Sequence, residues 1–510
     1  MFPWIVSLLS LIAPPAEAPG GSTSVELDLS DDWVPRMLAD DPGLGEAGRQ
    51  PYRAEFIRLA NRPNADERFL ELYGIPPSFT VVRDRLLDQE RHRCHRAVDS
   101  SPLRTEDQAT TASVVYAAQS HLRCDALFDR DPDGTLDAVT VAGLRAFQRE
   151  QAIIGSAPLD GETRAALAAD SRELDFRALL RVLRERVVDG TGVMEDGSAV
   201  GQRGTVLGRT LDCREMRWMD RLPALSNGAP DLVSGLTEAA ARALGWRDPD
   251  SAAAYFQSTW PTASRRVPVA LPPPPPYHGS DMPLRAEIIT GGKRPELRLV
   301  ARVAGPGGGN GELVLVRWPT TKGGWQPEKT GPSSVRLTFK RSAMGSFIWR
   351  DLITAPAWFP PETTPDDELV HKASGPLRLN REAVGPGYRS AYGLVMLIHH
   401  RPPLVWTDSE GPQALYDAQT RTHGTANFRS VTRGASHGCH RLYSGLAVRL
   451  ASFLLAHRRS VRHGPIVAHY RRTVEWHGDR GVLRADSRGY LFELTPPVPV
   501  RVVAKADGAP

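Results

Sequence analysis

Cysteine is scarce in this chain: Cys94, Cys124, Cys213 and Cys439 are the four in 510 residues. That density excludes a small disulfide-dense scaffold, so packed apolar side chains must supply the cores. Charge of one sign is lacking too. Lys plus Arg number 63 against 59 Asp plus Glu, a net charge of +4. No Lys/Arg block with interleaved aromatics appears, so no nucleic-acid partner is expected. Past the N-terminus there is no stretch of about 18 apolar residues, so no transmembrane segment is expected.

Residues 1–18 read as an export signal. An apolar run from Phe2 to about Ala13 precedes Ala16-Glu17-Ala18, a small-x-small cleavage pattern. The usual positive start is missing, because no Lys or Arg precedes Arg36, and Pro19 would follow the cut. The expected location is the cell envelope, in the periplasm. In such an oxidising compartment two of Cys94, Cys124 and Cys213 can pair, and the spacing leaves open which two.

The length implies about three domains. Residues 22–110 are polar and charge-mixed, and no chemistry can be assigned to them. Residues 111–170 alternate helical spacing and turns: Val114, Ala117, Ala118, His121 and Leu122 share one helical face, and Val141, Leu144, Phe147 and Gln148 share another. The turn between them holds Asp129, Asp131, Asp133 and Gly134, but an EF-hand needs Glu at its twelfth position, where Thr140 stands, so a polar turn is the better reading. Residues 171–265 are helical in pattern. Residues 266–282 contain Pro272 to Pro276 and read as a stiff spacer at a domain boundary. Residues 283–470 turn to strands, followed by one amphipathic helix carrying Leu446, Leu450, Phe453 and Leu454. Residues 471–510 read as a C-terminal β extension. The expected fold class is multidomain: small helical modules plus a mostly β, sandwich-like domain.

Cys439 lies in SHGCHRL (Ser436–Leu442), and HGT (His423–Thr425) begins sixteen residues before it. A cysteine attacks as thiolate, so a nearby base, cation or helix N-terminus must assist it. His423 and His437 are candidate bases, Arg441 a candidate cation, and the helix after Cys439 a candidate dipole. Gly438 allows a sharp bend, at which backbone N–H groups can hold an oxyanion. Zinc is the competing chemistry, but adjacent Cys439 and His440 fit none of the usual ligand spacings, so no metal is expected.

These residues resemble the L,D-transpeptidase (YkuD-type) family of bacterial cell walls, whose signature pairs HGT with SHGC followed by x-R-L. WPTTKGGW (Trp318–Trp325), WFPP (Trp358–Pro361) and GPGYRSAYG (Gly385–Gly393) are similar to further stretches of that family. Residues 111–170 resemble the three-helix peptidoglycan-binding domain, on LRAFQ (Leu144–Gln148) and LDGETRAAL (Leu159–Leu167). The resemblance implies that Cys439 is the nucleophile, His423 the general base and His437 a pocket-shaping assistant. Gly438 and Cys439 would offer N–H groups to the oxyanion. Arg441 would hold a substrate carboxylate with His440 beside it, and Ser436 and Thr425 would orient the two histidines. The implied reaction is acyl transfer on peptidoglycan stem peptides through a thioester, crosslinking two stems, with no cofactor. Alternatives are an L,D-carboxypeptidase or crosslink hydrolase, stem-to-protein attachment, or an inactive cell-wall-binding protein. Two positions depart from the family pattern: His440 stands where an apolar residue is common, and Thr432 where a glycine is often found.

Overall fold

In this computed structural model the described residues are 22–30, 33, 35, 79–104, 111–153, 157–202, 204–211, 222–260, 265–279, 282–291, 294–304, 310–331, 334–371, 376–387, 390–401, 415–425 and 427–504. The expected signal segment and Cys213 lie outside them.

Aspartates start most helices of the N-terminal half. The helices are α1 (Phe79–Leu87), α2 (Gln89–Ala97), α3 (Ala112–Cys124), α4 (Ala138–Glu150), α5 (Gly161–Leu167), α6 (Ser171–Thr191), α7 (Leu232–Ala243) and α8 (Pro249–Ser258). The side chains of Asp88, Asp137, Asp160, Asp170, Asp231 and Asp248 accept backbone N–H groups in the first turns of α2 and α4 to α8, where orphan donors would otherwise face water. Helices α3 to α5 share a core of Val114, Leu122, Leu144, Phe147 and Leu167. Gln148 is spent on that core, donating to Thr163 Oγ1 at 2.7 Å. The Asp133 turn is organised by Gln119, which donates to the Asp133 carboxylate at 2.8 Å. A disulfide joins Cys94 on α2 to Cys124 on α3.

The expected spacer is partly a strand. β1 (Thr23–Asp28) and β2 (Arg266–Leu271) pair antiparallel, with Leu27 and Leu271 buried in the core of the helical half. Past the prolines, Tyr277 donates to Glu195 at 2.9 Å and His278 Nε2 meets the same carboxylate oxygen at 2.6 Å. The segment is therefore anchored at both ends. Its apolar and hydrogen-bonding side chains, invisible to a reading based on prolines, decide this.

The strand-rich half forms one mixed, nine-stranded sheet. Its strands are β3 (Leu284–Ile289), β4 (Glu296–Ala304), β5 (Asn310–Pro319), β9 (Gly345–Thr354), β10 (Val395–Arg401), β11 (Tyr416–Thr425), β13 (His440–Tyr443), β14 (Arg459–Trp476) and β15 (Asp479–Val503). The order is β13-β11-β10-β9-β15-β3-β4-β5, with β14 beside β15. Shorter strands β6 (Lys322–Gly323), β7 (Trp325–Gly331), β8 (Ser334–Phe339) and β12 (Ala435–Ser436) form two small pairs outside it. Helices α9 (Arg381–Val384), α10 (Phe428–Arg433) and α11 (Ser444–His457) complete the half. The expected sandwich is thus one continuous sheet. One apolar cluster takes Leu297, Leu299 and Val316 from one end of it, Leu442 from the other and Leu450 and Phe453 from α11, so the sheet curls around a shared core. The helical half docks on it through polar contacts, including Trp318 Nε1 to Asp196 at 2.8 Å and Arg449 to Glu185 at 2.6 Å.

The expected extension after residue 470 is integral to this sheet. β15 runs between β9 and β3, and its Val498, Val500 and Val502 are core residues. A chain ended after Tyr470 loses that strand and exposes the edges of β9 and β3. It should lose cooperative thermal unfolding and protease resistance; a cooperative, resistant fragment would contradict this placement.

Candidate active site

The SHGCHR loop is held from below by the TTKGG segment between β5 and β7. Gly323 and Lys322 of β6 pair in parallel with Ser436 and Ala435 of β12. Thr321 Oγ1 donates to the Cys439 carbonyl at 2.8 Å and accepts the Arg441 N–H at 2.8 Å, and Thr320 Oγ1 donates to the Arg441 carbonyl at 2.9 Å. Ser342 Oγ donates to the Gly438 carbonyl at 2.9 Å. Gly438 itself has φ +107, a region that side chains rarely adopt, and a Cβ there would meet the Arg341 carbonyl oxygen at 3.2 Å.

Strand alternation sorts the side chains. β11 and β13 pair in parallel, with Thr422 opposite His440 and His423 opposite Arg441. Period two puts His423 and Arg441 on one face and Thr422 and His440 on the other. Carried back one residue from β13, the alternation puts Cys439 with His423, Arg441 and Arg421. A diagonal pair on neighbouring strands has Cβ atoms about 7 Å apart, a gap that a thiol and an imidazole can span.

On this face His423 is buried and its Nδ1 lies 2.6 Å from the Gly424 carbonyl. A carbonyl only accepts, so Nδ1 carries the proton and Nε2 keeps its lone pair. Burial pushes the His423 pKa down to about 3, and the Arg441 guanidinium adds to this. The Tyr392 ring packs edge-on over His423 at 4.8 Å. Burial also pushes the Cys439 thiol up, opposed by a backbone hydrogen bond from Arg421 and by the guanidinium charges of Arg421 and Arg441. Burial thus disfavours the charged form of both groups.

Several expected roles change. Gly438 N–H is not free for an oxyanion, because it donates to Ser436 Oγ at 3.1 Å. The Ser436 hydroxyl faces the Cys439 and Lys322 carbonyls at 2.5 and 3.1 Å, so it shapes the loop and orients no histidine. Thr425 Oγ1 accepts the Asn427 N–H at 3.1 Å and serves the turn after HGT. His440 is fully buried on the opposite face, where its Nδ1 meets the Thr321 carbonyl at 2.9 Å and its ring packs 5.5 Å from His399. It cannot touch a substrate from there. The helix dipole is also misplaced: α11 begins at Ser444, one whole strand beyond Cys439 or roughly 13 Å away, and the dipole effect fades within a turn. His437 is exposed, with Arg441, Lys340 and Glu328 as charged neighbours.

Arg421, Tyr392, Thr320, Thr321 and Ser342 were not singled out from the sequence. Arg421 was within reach of period-two reasoning from His423. Its buried guanidinium makes a bidentate pair with Asp417, both contacts at 2.6 Å. Arg441 has no such carboxylate partner, and its Nε, like that of Arg421, is buried without a hydrogen-bond partner among the described residues. No group of three or more metal-ligand side chains gathers among the described residues. No family model matches this chain, and no curated protein matches it either.

Two expectations follow. His440, pushed down to about 4 by burial, joins His423 as a ring that is neutral when folded but titrates near 6.5 when unfolded. The unfolded chain binds more protons below that value, so stability is full above about pH 6.5 and falls by about 1.4 kcal/mol per pH unit for each ring as pH drops toward 4. Urea midpoints measured from pH 7.5 to 4.5 check this, and a flat profile would contradict it. Gly438→Ala should cost about 1–3 kcal/mol through its left-handed backbone, read by the same denaturation; a change under about 0.5 kcal/mol would deny the strain.

Proposed function

We propose that the chain is a peptidoglycan L,D-transpeptidase with Cys439 as nucleophile and His423 as general base. The observation that carries this reading is the His423 Nδ1–H to Gly424 carbonyl contact at 2.6 Å, which commits Nε2 to accepting a proton on the face that Cys439 shares. The HGT and SHGCHR motifs support the same reading.

The chemistry runs as follows. The Cys439 Sγ–H proton passes to His423 Nε2 as the sulfur bonds to the carbonyl carbon ahead of a terminal D-alanine. The C–N bond breaks, and the departing amine takes that proton, leaving a thioester. An amine from a second stem attacks, its proton passes through His423, and the thiol is restored with a new amide between the two stems. Arg441, with its unpartnered Nε, suits the D-alanine carboxylate, since a guanidinium fork fits a carboxylate better than an ammonium does. With Gly438 N–H already engaged, the Cys439 N–H is the remaining donor of that pair for the oxyanion. The three-helix unit at residues 111–170 would hold the wall polymer. The Cys94–Cys124 disulfide fits an exported, periplasmic protein.

Intact-mass analysis with a carbapenem tests this. One covalent adduct is expected, mapped to Cys439 and absent from Cys439→Ala. Purified disaccharide-tetrapeptide should then give crosslinked dimers. Tripeptide alone would make water the acceptor and the chain a carboxypeptidase. No adduct and no product would make it a binding protein.

A further inference from the structure

A second candidate nucleophile lies in the segment to which the sequence assigns no chemistry. Ser100 follows α2, and its Oγ is 2.9 Å from His121 Nε2 on α3. His121 Nδ1 is 2.9 Å from His95 Nδ1 on α2, and His95 Nε2 is 2.8 Å from the Asp125 carboxylate. The two imidazoles are 8% and 2% exposed, whereas Ser100 is half-buried at the surface end of the chain.

The carboxylate fixes the first proton. Asp125 only accepts, so His95 Nε2 must donate to it. In the relay that arms Ser100, His95 Nδ1 accepts the His121 Nδ1 proton across the 2.9 Å contact. His121 Nε2 is left with a lone pair, which takes the Ser100 hydroxyl proton. Arg91 Nε donates to the same Asp125 oxygen, Oδ1, at 2.6 Å and its guanidinium also pairs with Asp175, keeping the carboxylate ionised. Burial pushes His121 down to about 4, so it is neutral at neutral pH. The Cys94–Cys124 disulfide ties together α2 and α3, the helices that carry the two rings. A nucleophile, a base and a group that orients the base are all within hydrogen-bond reach, as in serine acyl transfer.

We infer that Ser100, His121, His95 and Asp125 form a second acyl-transfer centre that cleaves carboxylic esters. Ser100 Oγ bonds to the ester carbonyl carbon while its proton moves to His121 Nε2. The ester C–O bond breaks, and the departing alkoxide takes that proton as an alcohol. Water then attacks the acyl-serine, losing a proton to His121 that returns to Ser100 Oγ, and a carboxylic acid leaves. Esters suit this centre better than amides because an alkoxide leaves more readily than an amine. Acid reverses the relay: a proton added to the histidine pair makes His121 Nε2 a donor and disarms Ser100. This inference does not depend on the Cys439 reading.

The test uses the full chain carrying Cys439→Ala and a fluorophosphonate, which bonds to an activated serine with loss of fluoride. Peptide mapping compares Ser100 with the exposed Ser101 and Ser113 in the same molecule, so no further variant need fold. The expected result is labelling of Ser100 about 100-fold faster than either neighbour, rising with pH to a plateau. His121→Gln should abolish it while circular dichroism and the thermal midpoint hold. p-Nitrophenyl acetate hydrolysis should fall in parallel. Labelling of Ser100 at its neighbours' rate, or without the pH rise, would overturn the inference and leave the relay a structural network.

Discussion

The parallel pairing of β11 with β13 is the constraint on which the candidate site depends. A parallel pair requires a crossover, and here the chain between β11 and β13 provides it, with the short helix α10 inside. The crossover is what brings two motifs sixteen residues apart into neighbouring register. A shift by one residue would turn Cys439 or His423 to the opposite face. The TTKGG segment guards against that slip, since Thr320, Thr321 and the β6–β12 pair hold the loop by its backbone on the side away from β11. The carbonyls of Gly438, Cys439 and Arg441 and the Arg441 N–H are thereby satisfied by side chains of that segment and of Ser342.

The same pairing explains the division of the histidines. Strand alternation puts His423 on the face of Arg441 and leaves His440 packed against His399 on the other. The two rings perform different tasks with the same device, an Nδ1 proton given to a backbone carbonyl. On the sulfur side, burial raises the thiol while two guanidinium groups oppose it. Burial therefore disfavours the charged form of both groups.

Much of this was legible in the sequence. Helices α3 and α4 and the helix after Cys439 announced themselves by apolar periodicity, and Val114, Leu144, Phe147, Leu450 and Leu454 are indeed buried. What failed was long-range. Nothing local says that Arg266–Leu271 pairs with Thr23–Asp28, or that Val498–Val502 fills the gap between two strands remote in sequence. At the site, residue identities were legible and contacts were not: Ser436 could be read as orienting a histidine, because only coordinates reveal that its hydroxyl is taken by backbone groups. Tyr392 sat within a noted motif without any signal of its place over His423.

The central claim is that His423 removes the Cys439 proton during attack. The most direct measurement is the second-order rate of Cys439 alkylation by iodoacetamide at pH 7, compared between the native chain and His423→Gln. The account predicts a fall of about tenfold or more in the variant, with native folding retained by circular dichroism. An unchanged rate would mean that the sulfur ionises without the ring, and the general-base reading would have to be abandoned.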